Sequence, residues 1–351
     1  MSRESSPSGL LCPMPILDAT EIRMAHGGGG RMSQDLLERV ILPRLGGCAS
    51  DLHDAALLPE RAGRWAVATD AFVVRPLFFP GGDIGSLAVH GTVNDLLMAG
   101  AQPVALTLSL ILEEGVPIAV LEHVLDSAAE ASRRCAVRVV AGDTKVVGRG
   151  EADGMYLAMT GLGLVAAGQD LHPRRVCAGD RILVSGDLGR HGLAILNARE
   201  NLGFETDFVS DSAPLLEPVQ RLLDAVDPSA LRVLRDVTRG GLAGVLHELA
   251  QSAGLAFDIR EAAVPVEAPV RSACALLGLD PLQLACEGRF VAIVAPEAEQ
   301  AALAALRATS LGRAAVCVGQ VVTGQGVWLD NPLGLRRAME WGSGELLPRI
   351  C

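Results

Sequence analysis

Residues 231–241 read LRVLRDVTRGG. The apolar positions in the first half are typical of a strand, and residues 242–253 after the glycine pair have the apolar spacing of a helix. An acid, a hydroxyl, a cation and two glycines lie between them: Asp236, Thr238, Arg239, Gly240 and Gly241. These groups suit phosphate, because a helix N-terminus offers backbone N–H groups and the positive end of its dipole. The stretch predicts a β/α unit with a phosphate site at its turn.

The same alternation of strands and helices occurs on both sides of this stretch, which predicts an α/β protein. Further predicted strands are 65–70, 104–112, 155–165, 181–185, 257–261, 290–294 and 316–322. Further predicted helices are 34–45, with Ser33 as N-cap, 86–100, 118–135, 192–202, 214–225 and 296–308. The polar segment 168–179 is a candidate domain boundary. We therefore expect an N-terminal extension at 1–47, two domains at 48–167 and 174–330, and a mobile tail at 331–351.

Composition and charge exclude several classes of protein. Half of the 351 residues are hydrophobic, which is enough for two sizeable cores. The net charge of −11 argues against nucleic acid as a partner. The longest apolar run, 104–112, is too short to cross a membrane, and no signal-peptide pattern begins the sequence.

The cysteine pattern indicates a reducing, cytoplasmic compartment. Eight cysteines are widely scattered without a Cys-x-x-Cys pair, so neither a zinc site nor a disulfide framework is predicted. The last of them, Cys351, is the C-terminal residue. We expect it to pack against nothing and to act as a tethered nucleophile or carrier, the alternative being a chance terminus.

Five acids at predicted strand ends or loop starts suggest a nucleotide–metal site. They are Asp54, Asp70, Asp95, Asp143 and Asp236. Carboxylates gathered in this way suit Mg²⁺, which binds through a few carboxylates together with substrate phosphates. Taken singly, each is as well explained as a cap or turn residue.

Three other features are candidates for phosphate binding or proton transfer. Lys145 is the only lysine beside 29 arginines, and its compact ammonium cannot be replaced by guanidinium in a tight pocket; a stray surface lysine is the alternative. The run Gly27–Gly30 after His26 precedes a predicted helix, so it is either a phosphate loop or a flexible linker. Glu287, just before a predicted strand, is either a base or a turn residue.

Seven segments, in this order, resemble those of the carbamoyl dehydratase family of hydrogenase maturation factors, in the aminoimidazole ribonucleotide synthetase (PurM-like) superfamily. The resemblance covers the chain from about Arg23, and the segments GDTKVV and PRIC are specific to that family. The seven segments are HGGGGR at 26–31, Asp70, PLFFPGG at 76–82, GTVND at 91–95, GDTKVV at 142–147, DVTRGG at 236–241 and PRIC at 348–351.

The resemblance implies a two-domain α/β fold, with a first-domain sheet that pairs with its copy in a homodimer. It implies ATP and Mg²⁺ as cofactors. It further implies that the transferase HypF places a carbamoyl group on Cys351 and that ATP-dependent dehydration converts the resulting thiocarboxamide to a thiocyanate. The cyanide would then pass to iron on a HypC–HypD complex, for a [NiFe]-hydrogenase.

The same resemblance implies roles for individual residues. The implied catalytic residues are Cys351, the carrier thiol, together with Glu287, Lys145 and His26. Glu287 is the base, with Lys145 and His26 as the alternatives, and Lys145 otherwise stabilises the phosphoryl group or relays a proton. The implied metal ligands are Asp54, Asp70, Asp95 and Asp236. The implied nucleotide-binding residues are His26, Gly27, Gly28, Gly29, Gly30, Asp70, Asn94, Asp95, Asp143, Thr144, Thr238, Arg239, Gly240 and Gly241. The alternatives are a selenophosphate or purine-pathway synthetase with a soluble acceptor, and a non-catalytic scaffold whose tail cysteine docks a metal or partner.

Overall fold

The computed structural model describes residues 19–47, 55–204, 206, 208–331, 333–342, 347 and 349–351. Asp54 and the expected domain start at residue 48 lie outside these residues. The strands are β1 (Arg64–Phe72), β2 (Phe78–Phe79), β3 (Gly82–Asp83), β4 (Ala101–Glu113), β5 (Val139–Val147), β6 (Met155–Val165), β7 (Arg181–Val184), β8 (Leu231–Asp236), β9 (Ala256–Arg260), β10 (Phe290–Val294), β11 (Val316–Val322), β12 (Gly326–Asp330) and β13 (Arg336–Ala338).

The helices are α1 (Arg31–Leu36), α2 (Leu42–Leu45), α3 (Ile84–Met98), α4 (Ile118–Arg134), α5 (Arg190–Glu200), α6 (Leu216–Ala225), α7 (Gly241–Ala253), α8 (Ala268–Leu277) and α9 (Glu299–Arg307). A π-helical turn, Leu37–Ile41, joins α1 to α2. No helix of the described chain is long and apolar enough to span a bilayer.

The first sheet has four strands in the order β1-β6-β4-β5. All neighbours are antiparallel except β4 and β5, which are parallel and joined through α4. One face carries buried side chains such as Leu108 and Met159, against which α3 packs. The other face is open, and Trp65, Val67 and Ile111 are exposed on it. A sheet covered on one side only leaves a large surface for a further partner.

The second sheet has seven strands in the order β13-β12-β9-β11-β7-β10-β8. Both faces of its centre are buried, because every residue of β10 is inaccessible. Alternate residues enter two different cores: Phe290 belongs to the main core, which extends into the first domain, and Val291 belongs to a separate core under α7. This alternation follows from the two-residue period of a strand.

Helix α3 connects the two domains. Asp83 caps its N-terminus by accepting hydrogen bonds from the backbone of Gly85 and Ser86, at 2.7 and 3.2 Å. Thirteen of its fifteen residues are buried, because it lies between the first sheet and parts of the second domain. Its side chains can therefore reach both domains.

The strand and helix predictions are confirmed except at particular places. The helix predicted at 34–45 begins at Arg31 with Gly30 as N-cap, so Ser33 is the wrong cap; its hydroxyl instead accepts the Gly29 N–H at 2.9 Å. The short strands β2, β3, β12 and β13 and the helix α8 had no sequence signal strong enough to predict. Since β13 pairs with β12, part of the segment expected to be tail belongs to the second sheet.

Candidate functional site

An acidic cluster forms where the two domains meet. Its members are Asp70 on β1, Asp95 on α3, Asp236 at the end of β8 and Glu287 in the loop before β10. Asp95 shares hydrogen bonds with Asp70 and Asp236. Burial and the charges of Asp236 and Asp70 raise the pKa of Asp95 to about 8. Burial also raises the pKa of Asp236, to about 6, against the opposing charge of Arg235.

Glu287 is the most deeply placed member of this acidic cluster. Burial raises its pKa well above the ordinary value, and the charges of Asp236, Asp211 and the other acids add to the effect. Its backbone N–H donates to Asp211 at 3.1 Å, which fixes the loop. Its Oε1 is buried and has no hydrogen-bond partner among the described residues. A carboxyl group held in this way is suited to exchanging a proton with a bound group.

The acidic cluster fits a divalent cation delivered with a phosphate ligand. In the described residues, no three His, Cys, Asp or Glu side chains are arranged to hold a metal ion by themselves. The carboxyl groups hydrogen-bond to one another instead, and their mutual repulsion is what a cation would remove. Mg²⁺ commonly binds through one or two carboxylates plus substrate phosphates, which matches this donor set.

A cavity of about 490 Å³ lies between the glycine loop and β5. His26, Gly27 and Gly29 line one side. The rest is lined by Leu108 and Leu110 of β4, by residues 139–145 of β5, which include Asp143 and Lys145, and by side chains of the helical segment 33–45. A Cβ at Gly27 would lie 2.7 Å from the Val146 nitrogen, so only glycine permits this close packing. The cavity has the size and largely apolar lining of a site for a flat organic ring.

The His26 side chain is neutral and presents a donor. Burial and the charge of Arg23 lower its pKa. Its Nδ1 accepts the Arg23 N–H at 2.9 Å, so the ring proton belongs on Nε2. That Nε2 is buried with no partner among the described residues. It is available to an acceptor in the cavity.

Asp143 and Lys145 form an ion pair on β5, with Nζ 2.7 Å from Oδ2. The hydrogen bond from Lys145 holds the pKa of Asp143 below its ordinary value. In the sheet register, Asp143 lies beside Ser109 and Lys145 beside Ile111, whose side chains are exposed on the open face. The pair therefore projects from the face opposite to the one that carries Asp70.

The cavity and the acidic cluster are aligned across the sheet. Asp70, Met159, Leu108 and Gly142 occupy one row of the register. Leu108 and Gly142 line the cavity, whereas Asp70 belongs to the acidic cluster. Three strand spacings separate the row's ends, about 14 Å. One extended ligand of nucleotide dimensions can contact both.

The prediction that Asp95 and Asp143 end strands is wrong. Asp95 lies within helix α3 and Asp143 lies inside β5. The Asn94 amide contacts the second domain: it donates to the Ala213 carbonyl at 3.0 Å and accepts the Leu215 N–H at 2.9 Å. Asn94 therefore holds the two domains together, and its assignment to the nucleotide stays a prediction.

The 238–241 turn has the backbone expected for a phosphate loop. Gly240 and Gly241 have φ of 77° and 62°, in the left-handed region that favours glycine. A Cβ at Gly241 would lie 2.5 Å from the Leu282 oxygen. Thr238 is half-buried and Arg239 exposed, just after the buried Asp236. The turn thus places a hydroxyl and a cation next to the acidic cluster.

The end of the tail lies against the first domain. The carbonyl oxygen of Cys351 accepts the Val73 N–H at 3.0 Å, three residues after Asp70. Ile350 is buried, and Cys351 is half-buried against the main core. The expectation that Cys351 packs against nothing is wrong, because the apolar Ile350 next to it anchors the terminus. The mobility of the tail stays a prediction.

The sequence analysis missed several residues near the site. His191, Arg199 and Asp153 contact residues 349–351, and Asp211 supports the Glu287 loop. His191 was not among the predicted site residues. Its position between glycines at the start of α5 was the available signal. The other groups depend on tertiary contacts that no local pattern records.

The chain is similar to known proteins over both of its domains. The family model for the N-terminal domain of AIR synthase related proteins matches residues 52–165, and the model for their C-terminal domain matches 178–329. Carbamoyl dehydratase HypE of Bradyrhizobium diazoefficiens is 48% identical over 333 residues, covering 94% of this chain and 96% of that protein.

Two solved structures are similar over most of the chain. Hydrogenase maturation protein HypE in complex with ATP has a TM-score of 0.89 at 43% identity, covering 93% of this chain and 99% of that one. HypE from a HypE–HypF complex has a TM-score of 0.77 at 41% identity, covering 79% and 90%. The fold and the two matched domains define an AIR synthase related protein. Within that class, the chain belongs to the HypE family of carbamoyl dehydratases.

Proposed function

We propose that the protein dehydrates a carbamoyl group carried on Cys351, using ATP, and so produces a thiocyanate that supplies cyanide for a [NiFe]-hydrogenase. One observation carries the proposal: the terminal cysteine lies beside the end of the strand that bears Asp70. A tethered substrate makes the reaction intramolecular, which favours it strongly. A small-molecule synthetase would have no use for a docked terminal thiol.

The chemistry explains why ATP and a base are needed. In the thiocarboxamide Cys351–S–C(=O)–NH₂ the oxygen is a poor leaving group. Transfer of the ATP γ-phosphoryl group to that oxygen, with loss of one N–H proton, gives Cys351–S–C(=NH)–OPO₃²⁻ and ADP. Breaking the C–O bond then expels phosphate as the second N–H proton leaves, and Cys351–S–C≡N remains.

Glu287 is our candidate for the base in these steps. Because burial and neighbouring acids raise its pKa, its ionised form is a stronger proton acceptor than an ordinary carboxylate. The unpartnered Oε1 supplies the acceptor atom. Asp211 keeps the loop in place through the Glu287 backbone.

The nucleotide would extend from the cavity to the acidic cluster. The adenine would occupy the apolar cavity, and His26 Nε2–H and the turn at 238–241 would donate to phosphate oxygens. Asp70, Asp95 and Asp236 would hold Mg²⁺ together with those oxygens. When bound, the ion neutralises phosphate charge during transfer. A related HypE that crystallised with ATP supports this arrangement.

The open face of the first sheet supports a homodimer. Trp65, Val67 and Ile111 are exposed there, and a second copy would cover them. Lys145 projects from the same face. In such a dimer its ammonium would lie at the contact between protomers. Lys145 also lines the nucleotide cavity, from which it would stabilise the phosphoryl group.

HypF and a HypC–HypD complex are the proposed partners. HypF would deliver the carbamoyl group, as the HypE–HypF complex of a relative suggests. HypC–HypD would take the cyanide onto iron. A reducing cytoplasm is the proposed place of action.

Intact-protein mass after incubation with HypF, carbamoyl phosphate and Mg-ATP tests the function. We expect one carbamoyl group on Cys351, followed by a species lighter by one water. Cys351→Ala should bind ATP and accept no carbamoyl group, whereas Cys177→Ser, which removes another exposed thiol, should behave as wild type. Carbamoylation of Cys351→Ala, or ATP turnover with a soluble acceptor, would instead favour the small-molecule synthetase.

A further inference from the structure

The last three residues occupy a groove at the edge of the first sheet. Val73 N–H donates to the Cys351 oxygen at 3.0 Å, and Arg75 N–H donates to the Arg349 oxygen at 3.2 Å. The tail therefore runs antiparallel to the segment that follows β1, which is an edge strand. Main-chain pairing of this kind is a common way of recognising an extended peptide. We call this surface, formed by Val73, Arg75, Asp153, His191 and Arg199, the tail groove.

A buried histidine contacts the tail between those two hydrogen bonds, at Ile350. His191 is inaccessible to solvent, and its Nε2 lies 2.7 Å from the Ile350 oxygen. Its Nδ1 lies 2.7 Å from the Ser210 hydroxyl, whose oxygen already accepts the Ser212 N–H at 3.0 Å. Because the Ile350 carbonyl can only accept, the ring proton lies on Nε2, and the neutral ring accepts the Ser210 hydroxyl proton at Nδ1. Ser210 therefore stabilises the tautomer that donates to the tail.

Arginine side chains hold both strands of the pairing. Arg199 donates to the Arg349 oxygen at 2.6 Å and to the Arg75 oxygen at 3.0 Å. Arg349 in turn donates to the Val73 oxygen at 3.1 Å and forms an ion pair with Asp153. Arg349 has a φ of 59°, which costs a residue with a side chain some strain. That conformation persists because the surrounding contacts determine it.

The chain just before residue 342 is also held in place. Trp341 stacks on His247 of α7, with ring centroids 4.9 Å apart, and His247 Nε2 lies 3.0 Å from the Met339 oxygen. The carrier arm is therefore residues 342–351, since the chain before it is fixed to the second domain. Ten residues reach at most about 35 Å. This is enough to leave the groove and enter a neighbouring protein.

We propose that His191 and Arg199 are positioning residues that hold the carried group on Cys351 for dehydration. The inference rests on the proposed function and concerns residues that touch neither ATP nor the reacting atoms. The tail cannot lie in this groove and in the site of HypF at the same time. Loss of the groove contacts should therefore slow dehydration while leaving carbamoylation equal or faster.

The test uses Arg199→Ala, His191→Ala and the conservative His191→Gln, with Arg221→Ala on exposed α6 as the matched control. Alkylation of Cys351 in full-length protein without ATP or HypF, followed by mapping of the C-terminal peptide, measures docking alone. We expect alkylation to be about tenfold faster in Arg199→Ala and His191→Ala, with partial recovery in His191→Gln, whose amide can still donate.

Single-turnover dehydration of carbamoylated protein should slow about tenfold in the same variants, with unchanged ATP affinity. Unchanged alkylation in Arg199→Ala, the variant that leaves the buried core intact, would overturn the proposal. Faster alkylation without slower dehydration would overturn the positioning role. If the variants are alkylated faster but the wild-type protein never forms thiocyanate, the tail docks as described and the proposed function is refuted instead.

Discussion

The acidic cluster and the tail groove differ in how well their polar groups are satisfied. In the acidic cluster, burial and the neighbouring negative charges raise the pKa values of Asp95, Asp236 and Glu287. In the tail groove, His191 and Arg199 each have defined partners within the same chain. The first region is complete only with a ligand, and the second is complete by itself. Unfavourable electrostatics therefore distinguishes the site of chemistry from the site of positioning.

Asp95→Asn should have the largest effect and should affect one region only. The amide keeps the size of the carboxyl group and removes its charge. Binding of Mg²⁺ is therefore weakened, and with it the neutralisation of phosphate charge. We expect single-turnover dehydration to fall about 10³-fold, since lost electrostatic stabilisation of this kind costs several kcal/mol. Alkylation of Cys351 should be unchanged. A change in both would mean that the two regions are not separate.

Lys145→Ala should accept the carbamoyl group and stall before dehydration, which we expect to slow about 10²-fold. Arg138→Ala, an exposed cation just before β5, is the control. Normal thiocyanate formation by Lys145→Ala would refute its role.

Mixing Lys145→Ala with Asp95→Asn protein tests whether Lys145 acts in its own protomer or in the partner protomer. Because Lys145 projects from the proposed dimer face, a mixed dimer would combine the Asp95 of one protomer with the Lys145 of the other. We expect thiocyanate formation to recover in the mixture. If the two inactive variants stay inactive after verified subunit exchange, Lys145 acts within its own protomer.

The pH dependence of stability should reveal the acidic cluster in protein freed of metal and nucleotide. The pKa of Asp95 is higher in the folded chain than in the unfolded one. Its contribution to stability is therefore full below about pH 4 and is lost as the pH rises through about 8.

Asp95→Asn, which does not titrate, should gain up to about 4 kcal/mol over wild type in free energy of unfolding between pH 5 and pH 8, because one pKa unit corresponds to about 1.4 kcal/mol. Urea unfolding at pH 5 and pH 8 measures this difference. If the free energy of unfolding changes equally with pH in both proteins, the pKa of Asp95 is not raised in the folded chain.

Trp341→Ala should have the smallest effect. Removing the stack on His247 lengthens the free arm by a few residues, and the entropy of closing a loop grows slowly with its length. We expect dehydration to slow two- to threefold. Trp328→Ala, which removes an aromatic of the same sheet region outside the arm, is the control. An effect as large as that of Arg199→Ala would mean that Trp341 has a role beyond fixing the arm.

The sequence predicted the fold where patterns are local. The strand–turn–helix at 231–253 and the amphipathic helix at 118–134 follow from periodicity and glycine placement. Asp70, Asp95, Asp236 and Glu287 were chosen individually, and the structure brings them together. The contacts of Asn94 with the second domain could not be predicted, because its partners, Ala213 and Leu215, are more than 100 residues away. The tail groove could not be predicted, since it depends on main-chain atoms whose pairing is set only by the folded sheet.

Asn94 and Asp95 are consecutive on α3, and this adjacency decides which part of the protein can move. Asn94 hydrogen-bonds to the second domain at Ala213 and Leu215, while Asp95 belongs to the acidic cluster. Opening the seam between the domains would break those hydrogen bonds and displace a site carboxyl in the same motion. These contacts therefore disfavour a hinge motion at this boundary between the two domains. If the tail moves as we propose, the carried group reaches the site on the last ten residues of its own chain, and the seam between the domains need not open.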